Sequence, residues 1–256
     1  MRAVLLLLAV LASTSAAADQ VIDLSPRDGV RLRVLVVAPE RPKGTAILFM
    51  GGSGRAKINK AGRVKSKNFL VRSRNLFVKH GFAAIVPDAP SDNNDSDGMK
   101  GWFRETKEHT TDLKALLKLA RDRFHVPVWL VGTSRGTNSV ANGGTKILKG
   151  GANGLVFTAS MSEANNGGPH VMDFDLKKVR VPVLISHHKK DECWVTPFSG
   201  AAEIKNDLIN APVIKILAYD GGASEDEDCS PHAYHGFNGI EDKVVSDMTK
   251  WMLAHQ

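Results

Sequence analysis

Short apolar runs rich in β-branched residues alternate along this chain with stretches of helical period, and that alternation constrains the fold more than any other feature. Val30–Val37 and residues 44–50, bounded by Pro39, Pro42 and Gly51-Gly52, predict strands. Residues 69–79 predict a helix ended by Gly81, and residues 83–86 a buried strand closed by Pro87. Over residues 110–124, Leu113, Leu116, Leu117, Ala120 and Phe124 share one helical face. Residues 128–131, 155–158, 183–186 and 213–217 predict further short strands. Residues 239–255 predict a last helix, with Val244, Met248, Trp251 and Met252 on one stripe. Strands separated by helix-length connections pair in parallel, so the expected class is α/β, with a mostly parallel central sheet and helices on both faces. Hydrophobic residues at 43% supply a core of that size and exclude a disordered or fibrous chain. No repeat or low-complexity linker divides the sequence, and residues 19–256 are expected to form a single domain.

The first eighteen residues form a separate unit. Arg2 precedes an apolar run from residue 4 to 12, and small residues follow, ending in Ala16-Ala17-Ala18. This is the pattern of a signal peptide cut after Ala18, and it predicts an exported protein, periplasmic or extracellular. The run is too short to span a bilayer, and no later stretch approaches about 18 consecutive apolar residues, so stable membrane insertion is not expected.

Chemistry is carried by loops at the carboxyl ends of such strands. Gly132-Thr133-Ser134-Arg135-Gly136 matches G-x-S-x-G between an apolar strand and a helix-permissive stretch. A serine on that strained turn is exposed as a nucleophile, and the flanking glycines avoid collision with neighbouring backbone. It needs a base, and the base an orienting carboxylate. Asp191 lies just past the strand over residues 183–186, with Glu192 as its neighbour and rival. His235 precedes Gly236-Phe237 and the last helix, and His232 three residues earlier is the alternative base. Gly51-Gly52-Ser53-Gly54 follows the strand over residues 44–50 and allows the backbone to approach a substrate oxygen. The candidate oxyanion donors are the N–H of Gly52 or Ser53 and that of Arg135.

The same loop lacks both G-x-G-x-x-G and G-K-[ST], so no nucleotide cofactor is expected. Two cysteines are too few for a four-thiolate zinc module. His187 and His188 beside Asp191 raise a metal site, but adjacent residues near a strand end point to opposite faces. Asn93 to Gly98 suggests a calcium loop, yet Arg104 stands at position 12 where a glutamate is needed. No metal is expected.

Taken together, Gly51-Gly52-Ser53-Gly54, Gly132-Thr133-Ser134-Arg135-Gly136, Asp191 and His235-Gly236-Phe237 make the chain resemble the α/β-hydrolase superfamily from about Val30 to His255. The resemblance is to small lidless esterases and dienelactone-hydrolase-like proteins. It implies an exported serine hydrolase that cleaves carboxylic esters through an acyl-enzyme on Ser134, with His235 moving the proton and Asp191 orienting the imidazole. Residues 160–180 leave no room for a substantial lid domain. A peptidase or acyltransferase on the same scaffold, or a non-catalytic cell-envelope binding protein retaining the fold, are the alternatives. If Asp191 and His235 meet in one site, Cys193 and Cys229 are neighbours too, and in an exported chain they are expected to form a disulfide. That cysteine pairing is also similar to the one in secreted polyester hydrolases.

The implied partner is a small-molecule ester, possibly anionic. Between residues 41 and 87 there are eleven Lys or Arg and no acid, whereas residues 220–228 hold five acids. Nucleic acid is not the expected partner of this basic run. Neutralisation by the acidic loop, solvation, or a rim for anionic substrates accounts for it in an exported protein. Arg135 sits at a helix N-terminus, where the dipole disfavours a cation by about 0.3–1 kcal/mol. It therefore requires a partner such as Asp92, or a task such as attracting a substrate anion together with Arg55, Lys57 and Lys60.

Overall fold

The computed structural model describes residues 19–256, so the leader expected over residues 1–18 lies outside the described residues. Eight strands form one sheet: β1 Gln20–Arg27, β2 Val30–Val37, β3 Gly44–Phe49, β4 Phe82–Pro87, β5 Val128–Ser134, β6 Gly154–Ser160, β7 Val183–His188 and β8 Ile214–Tyr219. Their order is β1-β2-β4-β3-β5-β6-β7-β8. Only the β1–β2 and β2–β4 pairs are antiparallel; from β4 to β8 every pair is parallel. The expected α/β class is the one observed.

The central strands are apolar on both sides because both sides are covered. Ile47 and Phe49 of β3, with Val128 and Leu130 of β5, face a core completed by Leu113, Leu116 and Leu117 of α3 (Lys107–Phe124). Val140 of α4 (Gly136–Lys146) and Ile204 of α5 (Gly200–Asp207) join that layer. Ala46 and Leu48, with Trp129 and Val131, point the other way. They meet Phe69 and Leu70 of α1 (Phe69–Arg72), Phe77 of α2 (Arg74–Lys79), and Val244, Met248 and Met252 of α6 (Glu241–Ala254). Each such fully buried apolar side chain contributes about 1.5–3 kcal/mol against leaving it in water.

The helix expected over residues 69–79 is two helices. Ser73, at φ −89° and ψ 2°, ends α1 and precedes α2. The bend lets α1 lie against β3 and β5 while α2 lies against β4, which one straight helix cannot do. Strand β1 and helix α5 were not expected. β1 is an edge strand whose mixed exposure and Pro26 weaken any strand pattern. Residues 161–182, between β6 and β7, carry only two short 3₁₀ turns, so no lid domain is present among the described residues.

Candidate active site

Strand β5 ends in the turn that carries Ser134, which is held at φ +52°. This left-handed conformation is uncommon for a side chain with a Cβ and marks a strained turn. Space explains the flanking glycines. A Cβ on Gly132 would lie 2.5 Å from the Gly136 carbonyl oxygen, and one on Gly136 would lie 2.0 Å from that of Phe49. The start of α4 can therefore press against both β3 and β5. The composition of α4, GTNSVANGGTK, is poor for a helix. Its polar residues are instead bonded to their surroundings: Thr137 Oγ1 donates to the Ser134 carbonyl, Asn138 to that of Pro169, and Asn142 to that of Arg104.

Asp191 and His235 meet from two different loops. Nδ1 of His235 lies 3.1 and 3.3 Å from the two carboxylate oxygens of Asp191. Asp191 accepts two further bonds, from the Cys193 N–H (3.1 Å) and Thr196 Oγ1 (3.1 Å), and lies 3.2 Å from His187 Nε2, which it shares with the Thr196 carbonyl at 2.9 Å. Burial alone would raise this carboxyl; the bonds from His187 and His235 outweigh burial and hold it at about 2. It is ionised at neutral pH and can only accept, so Nδ1 of His235 is the donor and Nε2 is the ring nitrogen left facing away from the carboxylate. Thr196 Oγ1 is also 3.0 Å from His235 Nδ1, which fixes the ring from a second side.

Glu192 and His232 lie outside this pair. Glu192 is exposed, and His232 is half-buried with only a 3.5 Å contact to Asn238. His187 and His188 do face opposite ways: His187 turns to Asp191 and Thr196, while His188 bonds the Gly221 carbonyl and stacks on Tyr234 at 4.6 Å. Cys193 and Cys229 form a disulfide that joins the Asp191 loop to the loop preceding His235.

Ser134 and His235 line one cavity of about 250 Å³. Met50 to Ser53, Ser66 to Phe69, Thr133, Cys229, Pro231 and Gly236 complete its lining. A Cβ on Gly51 would be 2.8 Å from the Ser134 Cβ, so this loop passes directly over the serine. The Met50, Gly51 and Ser53 carbonyls are bound by Arg104 Nη2, the Gly54 N–H and the Met99 N–H respectively. The N–H groups of Gly52 and Ser53 carry no hydrogen bond among the described residues.

Arg135 departs from expectation. Its guanidinium donates to the Gly167 carbonyl and the Asn165 side chain, away from the cavity, while Asp92 pairs with Arg27. Burial lowers its pKa and no acid compensates it. Nor does the acidic loop neutralise the basic run. Arg72, Arg74 and Lys79 pair with Glu241, Asp19 and Asp242, whereas Asp220 pairs with Lys189 and Lys190. The basic residue that does line the cavity is the exposed Lys67. Among the described residues, no group of acidic, histidine and cysteine side chains is placed to hold a metal ion. No helix among them is long and apolar enough to cross a membrane.

The sheet order, the helical layers and the strand–turn–helix at Ser134 define the α/β-hydrolase fold. Solved structures agree with that class. The chain is similar to an esterase from Pyrococcus furiosus (TM-score 0.65, 12% identity, 93% of this chain and 92% of that one). It is similar to a dienelactone hydrolase from Anabaena variabilis (TM-score 0.63, 11% identity, 93% and 97%) and to the esterase domain of a Rhodothermus marinus protein (TM-score 0.60, 13% identity, 93% and 98%). No protein-family model matches the sequence, and no curated protein does.

Proposed function

We propose that the protein is an exported serine hydrolase acting on carboxylic esters of small molecules. The observation that carries this reading is the buried Asp191–His235 pair, which faces a cavity shared with Ser134 and with two unbonded loop N–H groups. In the proposed reaction, His235 Nε2 takes the Ser134 proton as Oγ attacks the ester carbon. The Gly52 or Ser53 N–H, together with that of Arg135, receives the oxyanion. Collapse breaks the ester bond, and the alcohol leaves with the proton held by His235. Water, activated by the same imidazole, then cleaves the acyl-enzyme.

The esterase and dienelactone hydrolase neighbours support hydrolysis as the activity class. The disulfide supports export, because such bonds persist in oxidising compartments. Lys67 on the cavity wall, within an acid-free stretch, supports an ester bearing an anionic group. A panel of neutral and carboxylate-bearing esters, lactones and amides tests the reading on the mature protein. Esters are expected to turn over, and Ser134→Ala to lower kcat at least about 10⁴-fold without unfolding the chain. Amide cleavage without ester cleavage contradicts the proposal.

A further inference from the structure

The loop over Ser134 is held from behind by a charge that the proposed reaction does not yet use. Arg104 is 1% exposed. Its guanidinium donates through Nη1 to Ser139 Oγ (2.6 Å) and through Nη2 to the Met50 carbonyl (3.1 Å), and its Nε has no partner. A Cβ on Gly54 would be 2.8 Å from Nη2. The Met50–Gly54 segment thus runs between Ser134, which leaves no room for a side chain on Gly51, and the guanidinium, which bonds the Met50 carbonyl and leaves little room for one on Gly54. Ser139 is shared with His109 Nε2 at 2.9 Å, and burial together with the Arg104 charge keeps His109 well below its usual pKa, hence neutral.

Every hydrogen-bond partner of Arg104 is neutral. Burial, with the like charge of Arg135 adding to it, pulls its pKa down to about 9, which still leaves it cationic at neutral pH, and no carboxylate offsets the cost. A buried ion without a counter-ion is expensive. A neutral donor would hold the Met50 carbonyl and the Ser139 hydroxyl at a smaller desolvation cost. The position of the charge supplies the reason for keeping it. By holding the Met50 carbonyl, Arg104 sets the orientation of the peptides that follow, including the free Gly52 and Ser53 N–H groups. Arg104 itself is buried, and its field favours negative charge on the far side of that loop.

We infer that Arg104 is a positioning residue for the oxyanion. Through the Met50 carbonyl it fixes the Gly51–Ser53 loop, and its buried positive charge selectively stabilises the tetrahedral, negatively charged state on Ser134. This inference rests on the serine-hydrolase reading above.

The test compares a charged tetrahedral adduct with a neutral ground state. Phenylboronic acid forms an anionic boronate on Ser134 when Oγ adds to boron and its proton passes to His235. Its inhibition constant is measured beside KM and kcat for a neutral ester, in the wild type and in Arg104→Lys, Arg104→Gln and Arg104→Met. Glutamine keeps a donor for Met50 or Ser139 and guards against loss of fold in the methionine variant. The neutral variants are expected to lose about 30-fold in kcat, less than the 10²–10³ seen for a direct oxyanion donor. They should lose boronate affinity by a similar factor, with KM within twofold of wild type. Arg104→Lys is expected to restore most of both losses. Boronate affinity that moves no more than KM, or a lysine variant as defective as glutamine, overturns the role of the charge. A wild type that forms no adduct on Ser134 overturns the hydrolase reading instead.

Discussion

Asp191→Asn is expected to destabilise the protein at neutral pH and to do so much less in acid. A carboxyl held at about 2 rather than its usual 3.8 contributes roughly 2 kcal/mol to stability wherever it is ionised in both states. Because the folded value is the lower one, this contribution is fully present above about pH 4 and is lost as pH falls through 2. Asparagine is nearly isosteric but carries no charge for His187, His235 and Thr196 to bond, so it forfeits the contribution at every pH. Asp23, Asp92, Asp220 and Asp242 are also lowered by cationic partners, and Asp112 is raised by burial. These groups titrate alike in both proteins and cancel in the difference. The assay is urea unfolding of wild type and variant, with the disulfide intact, at steps from pH 7 to 2.5. The expected difference is about 2 kcal/mol from pH 7 to 5, shrinking steadily below pH 4. A pH-independent difference, or one that grows in acid, refutes the assignment of Asp191 as an ionised acceptor.

Other expected outcomes follow from the same geometry. Reducing the disulfide, or replacing Cys193 and Cys229 by serine, releases a 36-residue separation and should cost about 4 kcal/mol, read as a lower urea midpoint. Ester turnover should fall with it, because the bond ties the Asp191 and His235 loops together. Gly154→Ala places a Cβ 2.1 Å from the Trp129 ring, and overpacking there should cost about 1–3 kcal/mol by thermal or urea unfolding. Lys67→Glu should reduce kcat/KM for carboxylate-bearing esters relative to neutral isosteres, with the difference fading as salt rises toward 1 M. Equal effects on charged and neutral esters remove Lys67 from substrate selection.

The sheet was legible because each central strand is a closed apolar run between glycines and prolines, a pattern that two-sided burial leaves in the sequence. The tight turn at Ser134 was legible for a related reason: it needs glycines where backbone from another strand presses in, as Gly136 does against Phe49. The meeting of Asp191 with His235 was legible from strand ends and chain order. What was not legible depends on contacts distant in sequence. The break at Ser73 arises because two halves of one apolar pattern pack on different strands. Thr196 lies in an irregular loop, and nothing local distinguishes a threonine that bonds both Asp191 and His235 from one that faces solvent. Arg104 reads as an ordinary charge ahead of a helix until the fold folds it under Met50. Arg135 stands at the start of α4 as expected, but its side chain was expected to meet Asp92 or substrate, whereas the Gly167 carbonyl and the Asn165 side-chain oxygen claim it.

The central claim is that Ser134 is a nucleophile activated by His235. A fluorophosphonate reacts fastest with such a serine, phosphorus taking Oγ as fluoride leaves and the proton passes to the imidazole. The protein, treated with a fluorophosphonate and digested, is mapped by mass spectrometry beside His235→Ala. The account predicts one adduct, on Ser134, formed at least about 10³-fold more slowly in the variant. An adduct on another residue, or labelling of Ser134 at an unchanged rate without His235, contradicts it.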